Sequence, residues 1–95
     1  VLLSDMAPNL TGIRELDHAR QVELARRALW LARRLLRPGG NAFVKAMQGS
    51  LFDRLLAAFR RSFRTARPFK PRASRPESPE IYVVGIGLVR PSRGT

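Results

Sequence analysis

The sequence contains no cysteine and a single histidine among its 95 residues. Without cysteine, neither a disulfide framework nor a thiolate nucleophile is possible. A zinc site built from histidine and cysteine is excluded as well, and we expect no metal requirement. The sequence also lacks an apolar run of the roughly 18–20 residues needed to cross a bilayer, and no signal peptide is evident. These absences predict a soluble intracellular protein with no membrane partner.

Acidic residues are also scarce. Seven aspartates and glutamates stand against 18 lysines and arginines, which gives a formal net charge of +11. Only Lys45 and Lys70 of the basic residues are lysines. Such an excess favours a polyanionic partner, with nucleic acid first and an anionic membrane surface second. The alternative is a general preference for arginine on a solvated surface.

The apolar pattern predicts one domain in which strands and helices alternate. The predicted order begins with a buried strand at 1–4, a helix from an Asp17 N-cap to about Leu36, and a strand at 41–47. A second helix follows, opened by Ser50 with Asp53 as a weak capping-box partner. The chain continues with a short edge strand at 66–69, a loop at 70–79 and a strand at 80–89. We expect Trp30 and Phe59 in the core and His18 on the surface.

Strands joined by helices belong to a parallel sheet with right-handed crossovers, so the predicted fold class is α/β. The last two strands are joined without a helix and can pair antiparallel. Ligands of open α/β sheets bind beyond the carboxyl ends of the parallel strands. Asp5, Lys45 and Glu80 are predicted to meet at that edge. The alternatives are a turn-capping Asp5, a Lys45 that extends to solvent and an ordinary surface Glu80.

Three segments, "SDMAPN", "RPGGNAFVKAMQG" and "KPRASRPESPEIYVVG", resemble the FtsJ-type RNA 2′-O-ribose methyltransferases, from Val1 to about Gly87. The resemblance implies a Rossmann-like fold, S-adenosylmethionine as cofactor, and RNA as substrate, with large-subunit ribosomal RNA the best-known case. The family uses a Lys–Asp–Lys–Glu tetrad. Its aspartate matches Asp5, its second lysine Lys45 and its glutamate Glu80. In this family the aspartate also lies beside the cofactor.

The family's first lysine and its glycine-rich cofactor loop would precede Val1. We therefore expect residues 1–89 to be the carboxyl-terminal half of a methyltransferase domain and 90–95 a flexible tail. By itself this half should bind the cofactor poorly and be inactive. The full-length enzyme is expected to be a monomer, in the bacterial cytoplasm or in a mitochondrion.

Arginines are the predicted RNA contacts. Arg72 and Arg75 lie in the loop before Glu80, while Arg14 and Arg20 follow the "SDMAPN" segment. Lys45 is the candidate proton acceptor for the ribose hydroxyl, and a charged Lys45 that stabilises the developing alkoxide is the alternative. The alternative function is a non-catalytic basic module that binds RNA.

Overall fold

The computed structural model describes residues 1–7, 10–72 and 79–89. Its elements are β1 (Leu2–Ser4), α1 (Arg14–Leu35), β2 (Ala42–Met47), α2 (Phe52–Ser62), β3 (Phe63–Phe69) and β4 (Glu80–Leu88). Three predicted features lie wholly or largely outside the described residues: Arg75, the loop at 70–79, of which 73–78 are not described, and the tail at 90–95. Neither helix in the described part of the chain is long and apolar enough to cross a membrane.

The strands of the described residues form one mixed sheet in the order β1-β2-β4-β3. β1 and β2 are parallel, and α1 connects them. β4 is antiparallel to both of its neighbours, β2 and β3. The predicted α/β class and the antiparallel last strand are thereby confirmed. The carboxyl ends of β1 and β2 and the beginning of β4 all lie at one edge of the sheet.

A single hydrophobic core joins both helices to the sheet. Along β2, Ala42, Val44 and Ala46 are buried, and the residues between them are partly exposed. This alternation follows from the two-residue period of a strand. The largest fully buried apolar side chains are Phe59, Phe63, Leu55, Val22, Val44 and Val83. Each contributes about 1.5–3 kcal/mol relative to an exposed position.

The first strand is less buried than predicted. Leu2 and Ser4 are half-buried, but Leu3 is 72% exposed. The reason is that β1 is the end strand of the described sheet and pairs with β2 alone. A strand is therefore confirmed at Leu2–Ser4, but the predicted burial is wrong for Leu3 and for Val1, which is 82% exposed.

Helix α1 begins three residues before the predicted N-cap. Its N-cap is Ile13, so Asp17 lies within the first turns of the helix. The Asp17 carboxylate instead reaches back to the preceding loop. Its Oδ1 accepts hydrogen bonds from the Thr11 N–H and hydroxyl, both at 2.8 Å, and its Oδ2 accepts one from the Gly12 N–H at 3.2 Å. Asp17 therefore fixes the loop that precedes α1 and does not cap the helix.

Helix α2 does not use the predicted capping box. Its N-cap is Leu51, whose own side chain makes no capping hydrogen bond. The Leu51 N–H donates to Nε2 of His18 at 3.0 Å, across 33 residues of sequence. His18 is only 5% exposed, so its predicted surface position is wrong. A histidine on α1 thus satisfies one of the unpaired N–H groups at the start of α2.

The predicted core position of Phe59 is confirmed, since this side chain is fully buried. Trp30 is 57% exposed, so its predicted core position is wrong. The Trp30 ring lies beside the Arg34 guanidinium, with 4.7 Å between the guanidinium carbon and the ring centroid. Leu29, the preceding residue, takes the buried position on this part of α1.

Candidate active site

Lys45 lies between two carboxylates at the edge of the sheet where β1 and β2 end. Its Nζ is 2.9 Å from Oδ1 of Asp5 and 3.3 Å from Oε2 of Glu80. The Lys45 side chain is 17% exposed, whereas that of Asp5 is 74% exposed. We call these three residues the charged trio. They form a compact group of one cation and two anions that is open to solvent on the Asp5 side.

Strand register explains why residues so distant in sequence meet. Ser4 pairs with Val44, so the residue after β1, Asp5, comes beside Lys45. Glu80 pairs with Met47, which places the start of β4 beside the end of β2. A hydrogen bond of 2.8 Å from the Gln48 N–H to the Pro79 carbonyl continues this pairing beyond the strands. The structure therefore brings together the three residues that the topology had predicted to converge.

Mutual hydrogen bonding shifts the pKa values of Asp5 and Lys45. The hydrogen bond from Lys45 lowers the pKa of Asp5 below its ordinary value, and the hydrogen bond from Tyr82 lowers it further. The pKa of Lys45 is raised, chiefly by its hydrogen bond to Asp5, while partial burial opposes this and Glu80 adds to it. Both shifts stabilise the charged forms. Lys45 is consequently an ammonium group at neutral pH in this chain.

Tyr82 is a member of the site that the sequence reasoning missed. Its hydroxyl donates to Oδ1 of Asp5 at 2.9 Å, and its ring stacks on Phe43 with 4.6 Å between centroids. The register pairs Tyr82 directly with Lys45. The signal was available, because residues two apart on a strand share a face and Tyr82 follows Glu80 by two. Desolvation and the bond to Asp5 raise the pKa of Tyr82.

The sequence reasoning also missed Gln21. The signal was its position, because a polar residue on the otherwise apolar, buried face of α1 is unusual. Gln21 is 1% exposed, and its Nε2 donates to the Met6 carbonyl at 2.7 Å and weakly to the Lys45 carbonyl at 3.4 Å. It thereby ties the segment after β1 to β2. Its Oε1 is buried without a partner among the residues that the structure describes.

A cavity of about 290 Å³ adjoins the charged trio. Its lining includes Ala7, Leu10, Gln21, Lys45 and Glu80. The cavity combines apolar walls with a cation and an anion, as ligand sites commonly do. No cluster of side chains within residues 1–7, 10–72 and 79–89 has the composition of a metal site.

The predicted RNA-binding arginines occupy different places. Arg14 is the first residue of α1 and lines a second cavity, of about 180 Å³, which shares Leu10 and Met47 with the first. Arg20 is exposed on α1, near the segment that follows β1. Arg72 is exposed, three residues after β3 ends. Their roles in RNA binding remain predictions.

Fold and site together define a class of protein. A mixed α/β sheet that carries a lysine between two carboxylates at its carboxyl edge, beside a partly apolar cavity, belongs with Rossmann-like enzymes that bind ligands at this edge. The family model of the FtsJ-like methyltransferases matches residues 1–88, and the chain belongs to this family.

Individual relatives support the same family assignment. The chain is 52% identical over 89 residues to a protein of Methanothrix thermoacetophila named ribosomal RNA large subunit methyltransferase E, covering 94% of this chain and 35% of that protein. It is 46% identical over 88 residues to the protein of the same name from Variovorax paradoxus, covering 93% and 40%. The chain therefore spans well under half the length of these curated relatives.

A solved structure shows the same fold. It is a Plasmodium falciparum protein described as a ribosomal RNA methyltransferase, with a TM-score of 0.81 and 26% identity. The match covers 92% of this chain and 45% of that one. The agreement over nearly the whole chain supports the order of elements described above, and the match again covers less than half of the longer protein.

Proposed function

We propose that this chain is the carboxyl-terminal part of the catalytic domain of an S-adenosylmethionine-dependent methyltransferase, which modifies a ribose 2′-hydroxyl of RNA. The observation that carries the proposal is the position of Lys45 Nζ, within 3.3 Å of carboxylate oxygens from two other segments. The names of the relatives support large-subunit ribosomal RNA as the substrate. Their bacterial and archaeal sources favour the cytoplasm over a mitochondrion as the site of action.

The residues present fit the cofactor in one respect. Asp5 presents a largely exposed carboxylate at the end of β1, and its described hydrogen bonds both use Oδ1. A carboxylate at this place can lie close to the positively charged sulfonium group of S-adenosylmethionine. When bound, S-adenosylmethionine would supply an electrophilic methyl group to the ribose oxygen and leave as the neutral thioether.

Lys45 is the residue that we assign to the ribose oxygen. As an ammonium group, it donates a hydrogen bond to the 2′-oxygen and stabilises the negative charge that develops there. Its raised pKa supports this role over that of a neutral proton acceptor. The hydroxyl proton passes to solvent water, because the lowered pKa of Asp5 makes its carboxylate a weak base. The cofactor's other contacts and the family's first lysine are assigned to the rest of the domain.

Glu80 and Tyr82 position the reacting groups. Glu80 holds Lys45 through a second ion pair, and Tyr82 holds Asp5 through a hydrogen bond. Each contact restricts the rotamers of its partner, so the ammonium group is already oriented before the substrate binds. Such prior orientation is a large part of the catalysis of displacement reactions.

Substitution of Lys45 in the full-length enzyme tests the proposal. We expect Lys45→Ala to lower the methylation rate by about 100- to 1000-fold, the usual effect of losing one donor to a developing oxyanion. RNA affinity should stay within a few fold. Arg27→Ala is the matched control, because it also removes one positive charge but from an exposed pair with Glu23. Its methylation rate should remain that of the wild type.

Two results would contradict the proposal. Equal methylation rates for Lys45→Ala and the wild type would remove Lys45 from the chemistry. RNA binding by a full-length protein that shows no methyl transfer to any ribosomal RNA would favour the non-catalytic RNA-binding module instead.

A further inference from the structure

A groove between the two helices contains the single tryptophan of the chain. Its walls are formed by α1 and by Ala58 of α2, and its volume is about 510 Å³. The lining residues are Arg26, Leu29, Trp30, Arg33, Arg34 and Ala58. We call this surface the tryptophan groove. Leu29 and Ala58 supply its apolar part, and Trp30, a residue that is 57% exposed, lies beside them.

The groove is strongly basic. Arg26, Trp30 and Arg33 lie four and then three residues apart, so they share one face of α1. None of the lining residues is acidic. Arg54 and Arg61, four residues before and three after Ala58, are exposed on α2 and fall on the face that Ala58 turns to the groove. The charge of this surface complements a polyanion.

Folding does not account for the exposed indole ring. Within the described residues its ring contact is with Arg34, at 4.7 Å. An exposed cation–π pair contributes only about 0.5–1 kcal/mol, less than burial of a large aromatic side chain would give. An accessible aromatic face flanked by arginines is the arrangement that proteins use to stack nucleic-acid bases.

The groove is separate from the charged trio. Gln21 lies in the part of α1 that contacts the active site, since its Nε2 is 3.4 Å from the Lys45 carbonyl. Trp30 comes nine residues later, about 14 Å farther along the helix axis at 1.5 Å per residue. A ligand in the groove therefore does not occupy the cavity beside Lys45.

We propose that the tryptophan groove binds a single-stranded segment of the RNA substrate, with one base stacked on Trp30 and the adjoining phosphates on Arg26 and Arg33. This inference rests on the proposed function for the identity of the partner as RNA. It adds a second contact, remote from the methylated ribose, that would hold a large RNA in place. An acidic protein segment is the rival occupant, and it lacks the flat rings that stack on indole.

The single tryptophan makes the test direct, because all indole fluorescence comes from the groove. The chain is titrated with a 12-nucleotide single-stranded RNA in low salt, and fluorescence and the anisotropy of a labelled RNA are followed together. We expect quenching that saturates with the anisotropy. Arg27→Ala, which removes an exposed arginine of α1 that does not line the groove, should leave both curves unchanged. Because the titration measures binding and not methyl transfer, its failure is distinguishable from failure of the catalytic proposal.

Two variants give the size of the effect. Trp30→Ala should weaken RNA binding by about 5- to 150-fold, the range for loss of one stacked base, whereas Trp30→Phe should lose only a few fold. Arg26→Ala/Arg33→Ala should reduce the slope of log affinity against log salt by about 1.4, since each phosphate contact on a single strand contributes about 0.7. Circular dichroism checks that each variant is folded.

Three results would overturn the inference. The first is RNA binding by anisotropy without a change in tryptophan fluorescence. The second is equal RNA affinity for Trp30→Ala and the wild type. The third is equal quenching by poly-glutamate of similar length, which would identify the groove as a site for acidic polypeptides. In each case the methylation test of Lys45 would stand unaffected.

Discussion

Gly49 permits His18 to occupy its buried place, and this dependence can be tested by Gly49→Ala. A Cβ at position 49 would lie 2.6–2.7 Å from three carbon atoms of the His18 ring. Carbon atoms in contact normally stand about 3.5–4.0 Å apart, so the ring would have to move by roughly 1 Å. His18 is 5% exposed and accepts the Leu51 N–H at 3.0 Å. Such a movement therefore breaks that hydrogen bond.

The expected cost follows from these two effects. Overpacking of a buried site costs about 1–3 kcal/mol, and loss of the hydrogen bond adds about 1 kcal/mol. We expect Gly49→Ala to lower the free energy of unfolding by about 2–4 kcal/mol, or roughly 10–30 °C in Tm for a domain of this size. Urea denaturation followed by circular dichroism measures the change. Ser50→Ala, at the exposed neighbouring position, is the control and should change stability by less than about 0.5 kcal/mol.

A double-mutant cycle identifies the cause. Once His18→Ala has removed the ring, the added methyl group at position 49 has space, so Gly49→Ala should cost almost nothing in that background. The interaction energy between the two substitutions should be at least about 1 kcal/mol. Stability of Gly49→Ala equal to that of the wild type would refute the reasoning, as would an equal loss in both backgrounds.

Two further predictions concern the carboxylates. Hydrogen bonds from the Thr11 N–H and hydroxyl and from the Gly12 N–H lower the pKa of Asp17, so its contribution to stability is complete above its ordinary pKa and is lost as pH falls through the lowered one. Asp17→Asn should therefore have a lower free energy of unfolding than the wild type at pH 7, and it should lose less of that free energy as the pH falls below about 4. Urea titrations at several pH values measure both. Curves of unfolding free energy against pH that run parallel for the two proteins would contradict the prediction. Tyr82→Phe removes one of the hydrogen bonds that lower the pKa of Asp5. The pKa of Asp5, measured by NMR from the chemical shift of its carboxyl carbon, should therefore be higher in Tyr82→Phe than in the wild type. An unchanged pKa would mean that the Tyr82 hydroxyl does not bind Asp5 in solution.

Much of the fold was predictable because local patterns and topology rules agree. The spacing of apolar residues located both helices and the strands to within a few residues, and the helix between β1 and β2 required them to be parallel. From that order alone, Asp5, Lys45 and Glu80 could be placed at one edge. Strand direction decides which ends meet, and it can be inferred without any side-chain coordinates.

The errors have a common physical origin. His18, Asp17 and Trp30 were each interpreted from their own neighbourhood in the sequence. Their positions depend on partners elsewhere: the Leu51 N–H for His18, the Thr11–Gly12 loop for Asp17, and the choice of Leu29 over Trp30 for the buried position on α1. Neither propensity nor periodicity encodes such partners.

The sequence by itself determined the α/β class, the large excess of arginine and the edge at which the charged trio meets, because these follow from composition, from local periodicity and from the order of elements along the chain. Only the tertiary structure decided that Lys45 lies between two carboxylates that keep it charged, that Tyr82 and Gln21 support them, and that Trp30 faces a basic groove. These features depend on strand register and helix rotation, which are set by contacts between residues far apart in the sequence.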